Sequence, residues 1–203
     1  MPEVSAKGFL ARVLLWLAPA FAVWYWLAPL FVYPVAVLLR LALVTFYPEA
    51  FSDVEQQGYH VDIVTRFSAS LVAGAQLPPG QDSLLVFGLN ALKYGYGLPL
   101  LLALMLAAPG PVGVRALKFL VGALVLIPVQ VWGVYFESLI RLGQFIPVAI
   151  PQLAPTELAR NAIALAYQLG YLILPAVTPV VVWALLNLAF IRRLAPGLTP
   201  DRG

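Results

Sequence analysis

Hydrophobic positions in this chain form long runs, and polar positions collect mainly in one stretch between the first two runs. The first run extends over 9–47 and contains only two charged residues and three prolines. It is too long for one straight crossing of a bilayer core about 30 Å thick. We therefore predict a crossing over about 9–31 and, after Pro34, an apolar helix over about 34–46 that lies at the outer interface or against the bundle.

Three further apolar runs follow, and Pro, Gly or charged residues separate them. They predict crossings over about 91–108, 114–137 and 161–191. The predicted fold is mostly α: a polytopic membrane helical bundle of about four transmembrane helices, formed by residues 1–203 as a single integral membrane domain.

Composition supports a membrane location. Hydrophobic residues make up 62% of the 203 residues and charged residues only 10%, whereas soluble domains carry roughly 45–50% and about 25%. The chain has no cysteine, which excludes thiol nucleophiles, disulfides and thiolate metal sites. The first run is longer than the h-region of a signal peptide, so we expect a retained anchor.

The distribution of lysine and arginine predicts the orientation, because basic loop residues are retained on the cytoplasmic side. With the N-terminus inside, the inner segments hold seven bases against two acids, and the outer segments hold five bases against seven acids. We therefore predict that both termini are cytoplasmic. The net charge of +3 reflects topology, and no dense basic cluster with interleaved aromatics indicates a nucleic-acid partner.

The polar stretch over 48–90 contains a period-two pattern typical of a half-buried strand. Residues 59, 61, 63, 65 and 67 fall on one face, and residues 60, 62, 64 and 66 fall on the other. A second β-rich stretch, 83–89, follows turn-forming residues at 77–82. We predict an extracytoplasmic β-hairpin or small sheet that lies on the helix ends or on a partner protein, and we hypothesise that its edge accepts an extended peptide as an added strand.

His60 is the single histidine, and it shares a strand face with Asp62 and Arg66. This grouping has two interpretations, an oriented general base or a solvated polar face. No serine-hydrolase motif accompanies the nearby serines, and no spacing of histidines or carboxylates indicates a metal. We expect no cofactor.

Polar residues within the apolar runs are a second group of candidates. Gln130, Glu137 and Arg141 lie along one helical stripe, and Gln168 and Tyr171 lie on a polar and small stripe of the last run. These stripes either pack helices together or face each other across a hydrated cavity. Arg40 either snorkels to the interface or pairs with an acid or an anionic ligand.

Several segments together resemble the exosortase H-associated membrane protein family over about residues 9–192. The resemblance is carried by the following segments: Leu15-Trp16-Leu17-Ala18-Pro19, Trp24-Tyr25, Gln56-Gln57-Gly58-Tyr59, Asp62-Ile63-Val64-Thr65-Arg66-Phe67, Tyr94-Gly95-Tyr96-Gly97-Leu98-Pro99-Leu100 and Tyr167-Gln168-Leu169-Gly170-Tyr171-Leu172-Ile173-Leu174-Pro175-Ala176-Val177.

The resemblance implies an accessory protein of the inner membrane of a Gram-negative bacterium, encoded beside exosortase H. That enzyme is a polytopic, transpeptidase-like protein that processes proteins with an IPTL-type C-terminal sorting tail. Exosortases use a cysteine with arginine and histidine partners, so this chain cannot be the sortase. No site residues can be transferred from the family, because the resemblance contains no motif of known role.

Three hypotheses about function follow. The first is a non-enzymatic membrane partner of the exosortase that stabilises it or guides the sorting tail, with the lipid bilayer as its surroundings. The alternative is a small-molecule or lipid-binding transporter subunit that uses Gln130, Glu137, Gln168 and Tyr171. The third is a cysteine-free membrane enzyme centred on His60, Asp62 and Arg66.

Overall fold

A computed structural model describes residues 6–72 and 83–194. The turn predicted at 77–82 lies outside these residues. The described chain is mostly helical and includes one small antiparallel sheet, which confirms the predicted fold class. Its elements, in chain order, are α1 (Ala6–Trp26), α2 (Ala28–Phe46), β1 (Phe51–Gln57), β2 (His60–Ser68), a 3-10 turn (Ala69–Leu71), β3 (Leu84–Asn90), α3 (Leu92–Gly95), α4 (Gly97–Ala107), α5 (Val112–Phe145), a 3-10 turn (Pro147–Ala149), α6 (Ile150–Leu153), α7 (Glu157–Gln168), a π-helical turn (Leu169–Ile173), α8 (Leu174–Leu186) and α9 (Leu188–Leu194).

Four helical segments of the described chain are long and apolar enough to cross a membrane. They are Ala6–Trp26, Ala28–Phe46, Val112–Phe145 and Glu157–Leu186. The predicted crossing at 91–108 corresponds to the shorter apolar segment Leu92–Ala107, and the predicted interfacial helix at 34–46 is part of α2. Which of these segments cross the bilayer stays a prediction.

The first apolar run breaks at Leu27 and not between residues 31 and 34 as we predicted. Pro29 lies in the first turn of α2, where the missing N–H of a proline leaves no helical hydrogen bond unmade. Pro34 lies inside α2 without ending it. The proline that marks the helix start is therefore Pro29.

Two compact units make up the described chain, and each has its own packing. We call residues 6–27, 96–126 and 175–194 the helical unit, and residues 28–72, 83–95 and 127–174 the sheet unit.

In the helical unit, α1 packs against α4 and aromatic rings join α1 to the last helices. The Phe9 ring stacks on Trp183 with centroids 5.2 Å apart and meets Phe190 edge-on at 5.3 Å. One buried amide adds specific polar contacts. Asn187 Nδ2 donates to the Trp183 carbonyl at 2.9 Å, and Lys118 Nζ donates to Asn187 Oδ1 at 2.8 Å. Apolar contacts and one satisfied amide thus hold this unit together.

The sheet unit contains an antiparallel sheet in the order β1-β2-β3. The structure confirms the pairing of the two predicted strands, since Val61 faces Leu89 and Ile63 faces Phe87 across β2 and β3. It also confirms the predicted alternation. Val61, Ile63 and Thr65 are buried, whereas Asp62 and Val64 between them are half-buried.

Strand β1 was not predicted, and its sequence explains why. Phe51-Ser52-Asp53-Val54-Glu55-Gln56-Gln57 is polar, and a register shift between Phe51 and Asp53 puts its two buried residues three positions apart instead of two. A bulge of this kind hides the period of two on which a strand prediction depends. The remaining signal is Gly58, whose φ of +64° suits the tight connection to β2.

The buried face of the sheet packs against helical residues of the same unit. Helix α2 contributes a buried stripe at helical spacing that includes Val32, Val35, Leu39 and Leu43. Residues 127–145 of α5 supply further core side chains, namely Val134, Leu139 and Leu142. The sheet therefore does not stand alone, which agrees with the marginal stability of an isolated hairpin in water.

Candidate functional site

The most deeply buried acidic side chain among the described residues is Glu137 of α5. Its side chain is 2% exposed, and Val134, Leu139 and Leu142 of the same helix belong to the apolar core. A carboxylate removed from water is strongly destabilised unless positive charges and hydrogen-bond donors surround it. The groups around Glu137 therefore determine whether its carboxylate is satisfied within the fold or free to react.

Three side chains surround the Glu137 carboxylate, two of them cations and one a neutral hydroxyl donor. Lys93 Nζ donates to Oε1 at 2.5 Å, and the Tyr94 hydroxyl donates to Oε2 at 2.9 Å. Arg141, one turn further along α5, places its Nε 3.6 Å from Oε1. We call these four residues the Glu137 cluster. Because Lys93 and Tyr94 belong to α3, which directly follows β3, the cluster ties the end of the sheet to α5.

The charges of the cluster do not cancel. One carboxylate faces two cations, and the side chains of Lys93 and Arg141 are 32% and 47% exposed. Both carboxylate oxygens already accept a hydrogen bond. The carboxylate thus holds the fold together, and the excess positive charge lies at the surface of the unit.

Glycines allow the aromatic part of the cluster to pack closely. The Tyr94 ring lies directly on Gly133, where a Cβ would overlap three of the ring carbons. Gly133 in turn approaches Gly170, and a Cβ on Gly170 would come within 3.1 Å of the Gly133 Cα. The Tyr94 ring also meets Tyr171 edge-on, with centroids 6.2 Å apart. A residue larger than glycine at position 133 would therefore displace Tyr94 from Glu137.

The π-helical turn Leu169–Ile173 lies beside this contact. It ends just before Pro175, and proline clashes with the carbonyl four residues earlier in a regular helix. One turn before the π-helical turn, the Ala166 carbonyl accepts a hydrogen bond from Trp132 Nε1 at 2.9 Å, which joins α7 to α5.

The five polar residues predicted on the two helical stripes have different surroundings. Glu137 and Arg141 form an ion pair, as their spacing indicated. Gln130 is buried, and its amide nitrogen has no partner among the described residues. Gln168 is exposed, and Tyr171 contacts Tyr94 rather than the carboxylate itself. The hydrated cavity between the stripes stays a prediction.

An open apolar groove of about 270 Å³ lies elsewhere in the sheet unit and does not involve Glu137. Residues of α5, α6 and α7 line it, with Gln144 and Arg160 as its polar members. The predicted stripe residues do not contribute to this groove.

The other predicted residues lie on or beside the sheet. Arg40 of α2 pairs with Asp53 of β1, with Nε and Oδ1 2.6 Å apart. The His60 and Tyr59 rings pack together with their centroids 4.4 Å apart, and Arg66 Nε donates to the Pro48 carbonyl at 2.7 Å. His60 and Arg66 thus contact different neighbours. In the described ranges, no group of three or more His, Asp or Glu side chains is arranged to hold a metal ion.

Sequence reasoning missed Lys93 and Tyr94, which make the two shortest contacts to Glu137. They lie 44 and 43 residues from it, so helical or strand periodicity cannot connect them. One signal was present, because Lys93 is a lone cation at the start of an apolar run and such a charge needs an acidic partner.

The chain was compared with models of known protein families, with curated proteins and with solved structures. The family model described as exosortase H-associated membrane protein matches residues 3–190. The chain belongs to this family. No curated protein and no solved structure matches the chain. As a member of the exosortase H-associated family, the chain is a membrane protein with four candidate spans.

The first prediction for this family member concerns the charge of Glu137. Glu137→Gln keeps the shape of the side chain but leaves Lys93 and Arg141 without their carboxylate, so we expect the free energy of unfolding to fall by about 2–4 kcal/mol. Thermal unfolding of the purified protein in detergent measures this. The matched control is Glu157→Gln, because Glu157 is 90% exposed and 3.9 Å from Arg160, and it should unfold like the wild type. Equal stability of the two variants would show that the cluster does not hold the unit.

The second prediction concerns the glycine beneath Tyr94. Alanine favours helix by up to about 1 kcal/mol over glycine, yet Gly133→Ala should destabilise the protein by about 1–3 kcal/mol because its methyl group overlaps the Tyr94 ring. Gly143→Ala in the same helix is the control, since its nearest neighbour, an Ile150 carbon, is at an ordinary 3.4 Å. It should be as stable as the wild type or more so. If both variants gain stability in the same unfolding measurement, Tyr94 does not lie on Gly133.

Proposed function

We propose that this chain is a non-enzymatic accessory protein that associates with an exosortase in the bacterial inner membrane and supports C-terminal protein sorting. The observation that carries the proposal is the match to an exosortase-associated family over residues 3–190 by a chain without cysteine. The family description supports association, and the missing thiol separates this chain from the cysteine-dependent sortase.

The geometry supports a role without chemistry of its own. The buried acid Glu137 has both oxygens bonded to side chains of its own unit, so it is not available as a base. His60 packs on a tyrosine ring, and Arg66 bonds a backbone carbonyl. The contacts of His60 and Arg66 are therefore with Tyr59 and Pro48 and not with each other.

The surface of α2 supports contact with an apolar partner. One side of this helix packs on the sheet, and the opposite side exposes large apolar residues, including Leu30, Tyr33 and Leu41, each more than 60% exposed. Arg40, the one charged residue of α2, pairs with Asp53. A continuous exposed apolar face of this kind marks a surface that meets lipid or protein. We propose that lipid and the exosortase share it.

We propose the orientation that the charge pattern favours. Both termini are cytoplasmic, and the sheet region over 48–90 faces the extracytoplasmic side. This arrangement brings the sheet to the same side of the membrane as a sorting tail that has been translocated. The exosortase, its substrate and this chain would then meet at the outer face of the inner membrane.

Affinity purification from membranes tests the proposal. The tagged full chain is co-expressed with the exosortase, and we expect the two to purify together in detergent. We further expect that a strain without this chain processes sorting tails more slowly. Absence of association together with normal tail processing in the deletion strain would overturn the proposal.

A substitution separates the accessory role from an enzymatic one. His60→Ala, expressed in the deletion strain, should restore tail processing to the level of the wild-type chain, since the proposal gives the imidazole no chemical role. If the variant accumulates normally and associates with the exosortase but restores no processing, the non-enzymatic part of the proposal is wrong.

A further inference from the structure

The two edges of the sheet differ in how they are protected. An exposed edge strand is a template for pairing with another chain, and natural proteins block such edges with charges, prolines or bulges. Strand β1 carries Asp53, Glu55 and a register break, and it packs against α2. Strand β3, Leu84-Leu85-Val86-Phe87-Gly88-Leu89-Asn90, has no charged residue and no proline. No described strand pairs with its outer side.

The hydrogen-bond phase of β3 shows which peptide groups face outward. The Ala91 N–H donates to the Tyr59 carbonyl at 3.2 Å, and in an antiparallel pair the directly bonded residues alternate. Leu89 and Phe87 therefore bond to β2. The N–H and C=O groups of Val86 and Gly88 point away from β2, toward the open edge.

The side chains of the same residues leave that edge accessible. Leu84 and Val86 are both 51% exposed, while Phe87 and Leu89 on the other face are buried. Gly88 has no side chain of its own, and the Asp62 carboxylate of β2 lies 3.0 Å from where its Cβ would be. An extended, uncharged peptide with apolar side chains beside Val86 fits both the hydrogen-bond pattern and the surface.

We propose that the outer edge of β3 accepts an extended, uncharged segment of the protein that the exosortase processes, as a fourth strand of the sheet. This rests on the proposed function. Pairing through main-chain hydrogen bonds depends little on the sequence of the incoming strand. Such a site therefore suits an accessory protein that presents different substrates to one enzyme.

Site-specific photo-crosslinking in membranes that contain the exosortase and a substrate tests the edge. A photoreactive residue at Val86 should give an adduct with the substrate. The same residue at Val64 is the control, since Val64 faces Val86 but lies in the central strand, and it should give little or none. Adducts at Val86 only with a second copy, with the chain itself or with the exosortase would overturn the inference.

Two substitutions then test the pairing, with the photoreactive residue moved to Leu84. Val86→Pro removes an outward N–H and leaves the hydrogen bonds to β2 in place. Val86→Lys adds a charge of the kind that prevents edge strands in natural proteins from pairing with another chain. Each variant should lower the yield of substrate adduct roughly tenfold, because Val86→Pro removes a hydrogen bond to the added strand and Val86→Lys puts a charge beside its apolar side chains.

Association with the exosortase distinguishes this inference from the proposed function. We expect both Val86 variants to purify with the exosortase as well as the wild type does. An unchanged adduct yield in both variants overturns the inference alone, and so does loss of exosortase binding, which would assign the edge to the enzyme. Failure of the wild-type chain to purify with the exosortase overturns the proposed function itself.

Discussion

A single buried carboxylate constrains the sheet unit. Glu137 lies in the apolar core of α5 and requires donors that a membrane-associated core does not otherwise supply. Lys93 and Tyr94 provide them from the short helix that follows β3. The position of the sheet on α5, the contact of Tyr94 with Gly133 and the approach of Tyr171 all depend on this arrangement. Removing the charge would affect each of them.

The burial of Glu137 assigns Lys93 and Tyr94 to contacts within the fold. Other groups of the sheet unit remain available to contact a partner. The buried acid Glu137 is bonded to side chains of its own unit. The accessible surfaces of the sheet unit include the uncharged outer edge of β3 and the apolar outer side of α2. Surfaces of this kind meet lipid or other proteins. Both surfaces belong to a membrane protein of an exosortase-associated family.

Local patterns in the sequence predicted the features that depend on near neighbours along the chain. The alternation over 59–67 predicted β2 because one face of that strand is buried, and the spacing of Glu137 and Arg141 predicted their pairing because it is one helical turn. Strand β1 was missed because a bulge removes its period of two. Lys93 was missed because its partner is 44 residues away, and only the folded chain brings them together.

A double-mutant cycle between Lys93 and Glu137 tests most directly whether this pair holds the sheet unit together. The free energies of unfolding of Lys93→Gln, Glu137→Gln and the double variant are compared with that of the wild type in the same detergent. Residues in direct contact show coupling energies of about 0.5–3 kcal/mol, and this pair belongs in the upper half of that range because the Glu137 side chain is only 2% exposed. The account predicts a coupling of roughly 1.5–3 kcal/mol. Additive effects, with a coupling below about 0.5 kcal/mol, would contradict it.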